Sequence, residues 1–172
     1  MSEFPQNDRI TRFYEAFRAL DADTMQAAYA PDASFDDEAF SLRGRDEIGA
    51  MWRMLCTAVK DKGRADWRLE FSGIDCDDEV GIAHWEPTYR FSATGRIVHN
   101  IIDAQFEFNR DGLIQRHRDR FDFWRWSKQA LGTPGLLLGW TPFLRNKVRA
   151  QAAANLAKYR AAQAELRTSS TK

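Results

Sequence analysis

The spacing of apolar residues changes once along this chain, and that change constrains the fold more than any other feature. Over residues 10–20 and 48–59, apolar side chains recur at the spacing of an α-helix with one buried face. From residue 67 onward they alternate with polar residues, which is typical of strands with one buried face. The chain is therefore predicted to form helices first and a sheet second, an α+β fold.

Three helices are predicted before the sheet. Met25, Ala28 and Tyr29 indicate a short second helix that Pro31 ends. The two longer helices present apolar stripes, Ile10, Phe13, Tyr14, Phe17 and Leu20 in the first and Ile48, Met51, Trp52, Leu55 and Val59 in the third.

Four strands are predicted after the helices, joined by short turns into a mostly antiparallel meander. The first alternates over residues 67–71, and the others cover residues 79–91, 96–108 and 113–124. Pro87 lies inside the second long strand, which predicts a bulge or a sheet edge at that point.

The end of the chain is predicted to be helical, with a turn of helix over residues 126–131 and an Ala-rich helix that begins at Thr141. This segment could form a wall or lid of a pocket, or pack against the sheet or a second subunit. We predict a pocket domain in residues 1–125 and a C-terminal helical extension of the same domain in residues 126–172.

Charge is balanced overall but unevenly distributed. Lys plus Arg and Asp plus Glu both number 25, yet residues 1–50 carry 11 acids against 5 bases and residues 141–172 carry 7 bases against 1 acid. The bases are spread out, which favours a solvated face or a contact with acidic residues of the other end of the chain or of a second subunit. Phosphate binding is the alternative, and no nucleic-acid partner is expected.

The longest uncharged apolar stretch, from Leu131 to Leu144, contains glycines and prolines and is too short to span a bilayer. The N-terminus lacks the pattern of a signal peptide. Cys56 and Cys76 do not have the spacing of metal ligands. We therefore expect a cytoplasmic protein with no membrane partner.

Several short strings, taken in order, resemble the SnoaL-like branch of the nuclear transport factor 2-like superfamily over roughly residues 8–125. They are Phe13-Tyr14 with Phe17, then 29–35 (YAPDASF), 42–48 (LRGRDEI), 95–98 (GRIV), 111–114 (DGLI) and 117–122 (HRDRFD). The resemblance implies a cone with an apolar pocket between a curved sheet and the first helices. It also implies a homodimer, because members commonly pair through the outer sheet face.

The same family includes polyketide cyclases, ketosteroid isomerase, scytalone dehydratase and limonene epoxide hydrolase, together with transport factors and assembly domains that catalyse nothing. Fold alone therefore does not decide function. Where members are catalytic, the resemblance implies that carboxylates and histidines on the pocket wall carry out the chemistry.

The strongest candidates for chemistry are His117 and Asp119, which share one face of the last strand. In an apolar pocket such an Asp either binds a proton or keeps its charge by pairing with the His, and either state suits acid–base catalysis. The resemblance also places the acid–base Asp of cyclases and hydrolases at about Asp119. The alternative is a surface ion network with the neighbouring arginines.

Six further residues are candidates for substrate binding. Tyr14 could occupy the position of the oxyanion tyrosine of ketosteroid isomerase, in which case the base would come from Asp36 or Asp37. Asn100 lies on an otherwise apolar face and could orient a ligand carbonyl, orient Asp119, or serve a structural hydrogen bond. The full set is Tyr14, Trp52, Trp85, Tyr89, Asn100 and Phe121.

One family activity, epoxide hydrolysis, is less well supported by this sequence. The stretch from His84 to Tyr89 lacks the Arg and Asp, two residues apart, of the epoxide hydrolases. His84 and His99 are expected to be half-exposed residues of the sheet, and His99 should face away from Asn100, so no metal site is predicted.

The leading hypothesis is a cofactor-independent isomerase, cyclase or dehydratase that acts on an apolar, carbonyl-bearing small molecule. In it Asp119 is the acid–base group, His117 its partner, and Tyr14 or Asn100 polarises an oxygen. The alternatives are a non-catalytic protein that binds an apolar ligand and an assembly domain. A pocket filled by the protein's own side chains, such as Trp52 and Trp85, would favour the assembly domain.

Overall fold

The computed structural model describes residues 6–169. The predicted α+β fold with a helical end is confirmed, but two strands lie between the second and third helices, so the sheet does not simply follow the helices. The elements are α1 (Gln6–Arg18), α2 (Ala22–Ala27), β1 (Tyr29–Asp36), β2 (Ser41–Arg43), α3 (Arg45–Lys62), β3 (Arg68–Cys76), β4 (Val80–Arg90), β5 (Ile97–His99), β6 (Ile102–Phe108), β7 (Ile114–Arg120), α4 (Phe123–Leu131), α5 (Thr133–Leu138) and α6 (Pro142–Ser169).

The strands form one sheet in the order β2-β1-β7-β6-β4-β3, with β5 also pairing with β4. All neighbouring strands are antiparallel except β1 and β7, which run parallel. The mostly antiparallel sheet was predicted, whereas the parallel pair was not.

The main core lies between α1, α3 and one face of the sheet. The α1 stripe from Ile10 to Leu20 is buried throughout, and Ile48, Met51 and Trp52 of α3 are buried against it. The inward residues of β6 are also buried, among them Ala104 and Phe106. The change of period in the sequence thus locates the core correctly, because both patterns describe one buried face.

The prediction that Tyr29 belongs to the second helix is wrong. That helix ends at Ala27, and Tyr29 begins β1, where it pairs with Ile114 of β7. The register between β1 and β7 shifts between Tyr29 and Ser34, so Pro31 lies in an irregular part of the strand. A proline is tolerated there because its missing N–H is not needed by a regular ladder.

Pro87 marks an irregularity, as predicted. Along its other edge β4 pairs first with β6, up to Trp85, and then with β5, from Thr88 onward. The predicted strand over 96–108 is therefore two strands, interrupted at Asn100 and Ile101. The backbone N–H of Asn100 donates to the carbonyl of Pro87 across this break, at 3.0 Å.

The last strand ends earlier than predicted, at Arg120, and α4 begins at Phe123 rather than at residue 126. Asp122 caps α4, as its Oδ1 accepts a hydrogen bond from the N–H of Arg125 at 3.0 Å. Helix α4 packs on the sheet in a second apolar cluster, Val98, Phe123, Trp126, Ala130 and Leu144.

The predicted contact between the acidic and basic ends of the chain is confirmed within one subunit. Arg145 of α6 approaches Glu38 at 3.5 Å, and Arg160 approaches Glu47 at 3.4 Å. Arg149 donates to the backbone carbonyl of Glu38 at 2.9 Å. Helix α6 is thereby held along α3 and the loop after β1.

Candidate active site

A chain of hydrogen bonds crosses the core and ends on Asp119. We refer to its members, Trp52, Tyr29, His117, Asp119 and Trp85, as the buried polar chain. Strand alternation turns both His117 and Asp119 inward from β7, as predicted, and the parallel pairing of β1 with β7 brings Tyr29 beside them. All five residues are at most 5% exposed.

The distances in the buried polar chain are those of ordinary hydrogen bonds. Trp52 Nε1 donates to the Tyr29 hydroxyl at 3.1 Å, and that hydroxyl lies 2.7 Å from His117 Nδ1. His117 Nε2 lies 2.9 Å from Asp119 Oδ1. Trp85 Nε1 donates to the same Asp119 oxygen at a longer 3.4 Å.

One arrangement of protons satisfies His117, Tyr29 and Trp52. If Nε2 of His117 carries the proton and donates to Asp119, Nδ1 is free to accept from Tyr29. The Tyr29 oxygen then accepts from Trp52. Asp119 is therefore held through Oδ1 as an acceptor inside the core, and it is not part of a surface ion network.

Unlike the hydroxyl of Tyr29, the hydroxyl of Tyr14 has no hydrogen-bond partner among residues 6–169. Tyr14 is fully buried, stacks on Phe71 and lies beside Trp85. Burial raises the pKa of Tyr14 well above its usual value, and the nearby negative charge of Asp119 raises it further. The hydroxyl is thus a free donor held near a carboxylate.

Asp37 is a carboxyl whose pKa is raised far above its usual value. Burial raises its pKa to about 7, the backbone N–H groups of Phe40 and Ala39 oppose the rise, and the charge of Asp119 adds to it. Those N–H groups donate to Oδ1 at 2.5 and 2.7 Å. The side chain keeps partial contact with solvent, so Asp37 can exchange its proton.

The sequence identified Asp37 only as an alternative base beside Asp36. The structure separates the two, because Asp36 faces outward and binds Arg43 and Ser41. Tyr89 is close enough to Asp37 for the charge of Asp37 to affect its pKa. Burial raises the pKa of Tyr89 to about 12, a hydrogen bond from Trp126 opposes the rise, and the charge of Asp37 adds to it.

A cavity of about 620 Å³ opens at the end of the sheet where β1 and β7 finish and β6 begins. Its wall mixes charged and apolar groups, so it is not the wholly apolar pocket that was expected. The lining residues are Glu38, Asn100, Ile101, Asp103, Arg120, Phe121, Asp122 and Arg125.

Asn100 is a buried polar group of this wall with a donor to spare. Its Oδ1 accepts from the N–H of Ile101 at 3.1 Å, which leaves the amide NH₂ as the remaining polar group. No residue of the described range 6–169 accepts from that NH₂. A ligand oxygen in the cavity is its natural acceptor.

The predicted binding residues separate into two groups. Asn100 and Phe121 line the cavity. Tyr14, Trp52 and Trp85 are core residues, and the Tyr89 hydroxyl is occupied by Trp126 at 2.9 Å. A substrate would reach Tyr14, Trp52, Trp85 or Asp119 only if the core opened, whereas Tyr89 is partly exposed.

His84 and His99 are partly exposed residues of the sheet, as predicted, and both contact Glu86. His84 Nε2 and His99 Nε2 lie 2.9 and 2.7 Å from the two Glu86 oxygens, and His84 Nδ1 lies 2.8 Å from Asp103. Hydrogen bonds to the carboxylates of Asp103 and Glu86 raise the pKa of His84.

Residues 6–169 contain no group of three or more His, Cys, Asp or Glu side chains arranged to hold a metal ion. Over the same residues, no helix combines the length and apolar character needed to cross a membrane.

Comparison with known proteins places the chain in a structural context. A family model described as SnoaL-like domain matches residues 10–117, more than half of the chain. No curated protein matches it.

Solved structures share the fold at low sequence identity. An epoxide hydrolase of M. tuberculosis, described as LEH-like, is 21% identical with a TM-score of 0.59, over 77% of this chain and 92% of that one. A proposed polyketide cyclase from Silicibacter sp. TM1040 is 23% identical with a TM-score of 0.57, over 72% and 93%. An uncharacterised protein with a cystatin-like fold from Silicibacter pomeroyi DSS-3 is 17% identical with a TM-score of 0.57, over 88% and 92%.

Proposed function

Because the chain belongs to the SnoaL-like domain family, we propose that it is a cofactor-independent enzyme that moves a proton on an apolar, carbonyl-bearing small molecule. Its fold is of the nuclear transport factor 2-like, cystatin-like type. The fold supports many functions, so the proposal depends on the residues of this chain.

The observation that carries the proposal is the state of Asp37. A carboxyl with a pKa of about 7 is both protonated and ionised at neutral pH, which is the condition for efficient acid–base catalysis. Asp37 does not itself line the cavity, but it is partly exposed just after β1 and immediately precedes the cavity residue Glu38. Asp119 is buried and already accepts hydrogen bonds from His117 and Trp85, so we assign the proton transfer to Asp37.

In the proposed reaction the Asp37 carboxylate removes a proton from the carbon next to the substrate carbonyl. The electron pair of that C–H bond moves toward the carbonyl oxygen, which accepts a hydrogen bond from the Asn100 amide. In a substrate with a C=C bond next to that carbon, the negative charge is shared with the far carbon of the C=C bond, and Asp37 returns the proton there. The double bond shifts by one position, which completes an isomerisation without any redox partner. Cyclisation or dehydration would use the same first step.

Asp119 has a positioning role in this scheme. Its negative charge helps to keep the pKa of Asp37 high, and the buried polar chain holds it in place. His117 in turn keeps Asp119 hydrogen-bonded. The leading roles that the sequence favoured for Asp119 and His117 thus become indirect ones.

The test begins with a thermal-shift screen of polycyclic ketones, steroids, epoxides and fatty acids. A ligand at about 100 times its dissociation constant stabilises the fold by about 2.7 kcal/mol. Ketones that bind are then incubated in D₂O, and deuterium at the carbon next to the carbonyl is followed by proton NMR. We expect exchange with the wild type, none with Asp37→Asn, and unchanged exchange with the matched control Asp36→Asn.

The pH profile distinguishes the role of Asp119. In Asp119→Asn the amide oxygen can still accept from His117, but the negative charge beside Asp37 is gone. The exchange rate should then reach half its maximum at a lower pH than in the wild type. Unchanged exchange in Asp37→Asn would refute the proposed base, and an unshifted profile in Asp119→Asn would refute the positioning role.

A second candidate function, an assembly domain without catalysis, is favoured by one observation. Trp52 and Trp85 are 2% and 5% exposed, so they fill the interior that a large apolar ligand would need. If no member of the panel shifts the melting temperature of the wild type, this candidate takes precedence, and identification of protein partners becomes the next experiment.

A further inference from the structure

A patch of large apolar side chains is exposed where α4, α5 and the start of α6 meet. We call it the tail patch, and its members are 42–70% exposed. They are Trp124, Leu136, Leu137, Leu138, Trp140 and Phe143. A contiguous apolar surface of this kind usually marks an interaction site.

The tail patch is a built surface and not a frayed end. Trp124 Nε1 donates to the carbonyl of Leu136 at 3.2 Å, and Trp140 Nε1 donates to the carbonyl of Leu137 at 3.1 Å. Each indole N–H is thus satisfied by the backbone, while much of each ring stays open to the surroundings. Tryptophan is well suited to the boundary between water and an apolar phase.

The segment of sequence that carries the tail patch has charge of one sign. Between Asp122 and Glu165 the sequence contains no acidic residue. It contains seven basic ones, Arg125, Lys128, Arg145, Lys147, Arg149, Lys158 and Arg160. Lys128 lies 4.4 Å from the ring centre of Trp124, and Lys147 is exposed one helical turn after Phe143. Two other basic residues of α6 form ion pairs instead, Arg145 with Glu38 and Arg160 with Glu47.

We infer that the tail patch docks this protein on the surface of a lipid bilayer that contains anionic lipids. Trp, Phe and Leu side chains flanked by Lys and Arg, with no acids among them, match an apolar layer beneath negatively charged headgroups. A second copy of the chain fits less well. Two-fold contact of one tail patch with another would bring two sets of basic residues together.

Docking on a membrane surface is different from crossing a membrane, for which the apolar stretch from Leu131 to Leu144 is too short. It also concerns the candidate site, because α4 carries Trp124 of the tail patch and, next to it, Arg125 of the cavity wall. The docked protein would therefore hold that wall close to the lipid. The inference itself does not depend on the proposed catalysis.

The test is flotation of the full chain with phosphatidylcholine vesicles and with vesicles of phosphatidylcholine and phosphatidylglycerol. We expect the protein to float with the mixed vesicles only, and less at high salt, which screens the attraction. The double variant Trp140→Ser with Phe143→Ser should lower the partition coefficient at least about tenfold. Lys147→Gln should lower it about fivefold.

The matched control changes two apolar residues of similar exposure on β4, Val80→Ser with Ile82→Ser, and should bind as the wild type does. Absence of wild-type flotation with mixed vesicles would overturn the inference. So would equal flotation with both vesicle types, or equal loss in the control. Sedimentation velocity covers the remaining case: a dimer that Trp140→Ser with Phe143→Ser dissociates, without vesicle binding, would show that a second copy covers the patch.

Discussion

Tyr29 and Tyr14 allow a paired test of the buried polar chain, because both are fully buried and differ in what their hydroxyls contact. The change to phenylalanine removes one oxygen from each and leaves the ring. In Tyr29→Phe the indole N–H of Trp52 and Nδ1 of His117 lose their partner, and both residues are at most 2% exposed. In Tyr14→Phe no partner is lost.

The expected magnitudes follow from the cost of burying an unsatisfied polar group, about 1–3 kcal/mol for each. Two such groups in Tyr29→Phe give a loss of about 2–6 kcal/mol in the free energy of unfolding. That is a large share of the roughly 5–15 kcal/mol of a typical domain. Tyr14→Phe should change stability by less than about 0.5 kcal/mol or increase it, because its hydroxyl is buried without compensation.

Urea unfolding followed by circular dichroism measures both variants. A fall in the midpoint with an unchanged slope shows a loss of native-state stability, without a change in the surface exposed on unfolding. Equal destabilisation by the two substitutions would refute the buried polar chain as described, since it would mean that the hydroxyl of Tyr29 is no better satisfied than that of Tyr14.

Three further predictions concern stability. The folded state raises the pKa of Asp37 from 3.8 to about 7, so the stability from its bound proton is present below about pH 4 and lost as pH rises through 7. In urea unfolding above pH 7, the free energy of unfolding of Asp37→Asn should therefore exceed that of the wild type by about 1–4 kcal/mol, and no difference at pH 8 would contradict this. A Cβ at Gly135 would lie 1.9 Å from the carbonyl oxygen of Ser127, so Gly135→Ala should cost about 1–3 kcal/mol, visible as a lower melting temperature, and a neutral result would mean that α5 is not held against α4. Asp122→Ala removes the cap that accepts from Arg125 and should cost about 0.5–2 kcal/mol in the same assay, whereas Asp122→Asn, which can still accept, should retain most of the stability.

The sequence predicted those parts of the fold that depend on local pattern. The stripe of α1 and the alternation of β7 that places His117 and Asp119 on one face both follow from the spacing of neighbouring residues. Each is set by one element and the side it buries, so a single sequence was sufficient to find it.

What could not be predicted depends on contacts between distant segments. Tyr29 joins β1 because that strand pairs with β7, some 85 positions later, and no local signal distinguishes this from the end of α2. The raised pKa of Asp37 has the same origin. Burial in the folded chain raises it most, and the charge of Asp119, which adds to the rise, comes from another strand. The filling of the interior by Trp52 and Trp85 is a matter of packed volume, which the periodicity of the sequence does not contain.

The central claim is that Asp37 is a carboxyl that exchanges its proton near neutral pH, and side-chain carbon NMR tests it without any ligand. Protein labelled with ¹³C at the aspartate carboxyl is titrated, and the wild type is compared with Asp37→Asn and with Asp36→Asn. We predict one aspartate signal with a midpoint near pH 7 that is absent only in Asp37→Asn. If every aspartate of the wild type titrates below about pH 5, as unperturbed carboxyls do, the proposed acid–base role of Asp37 is contradicted.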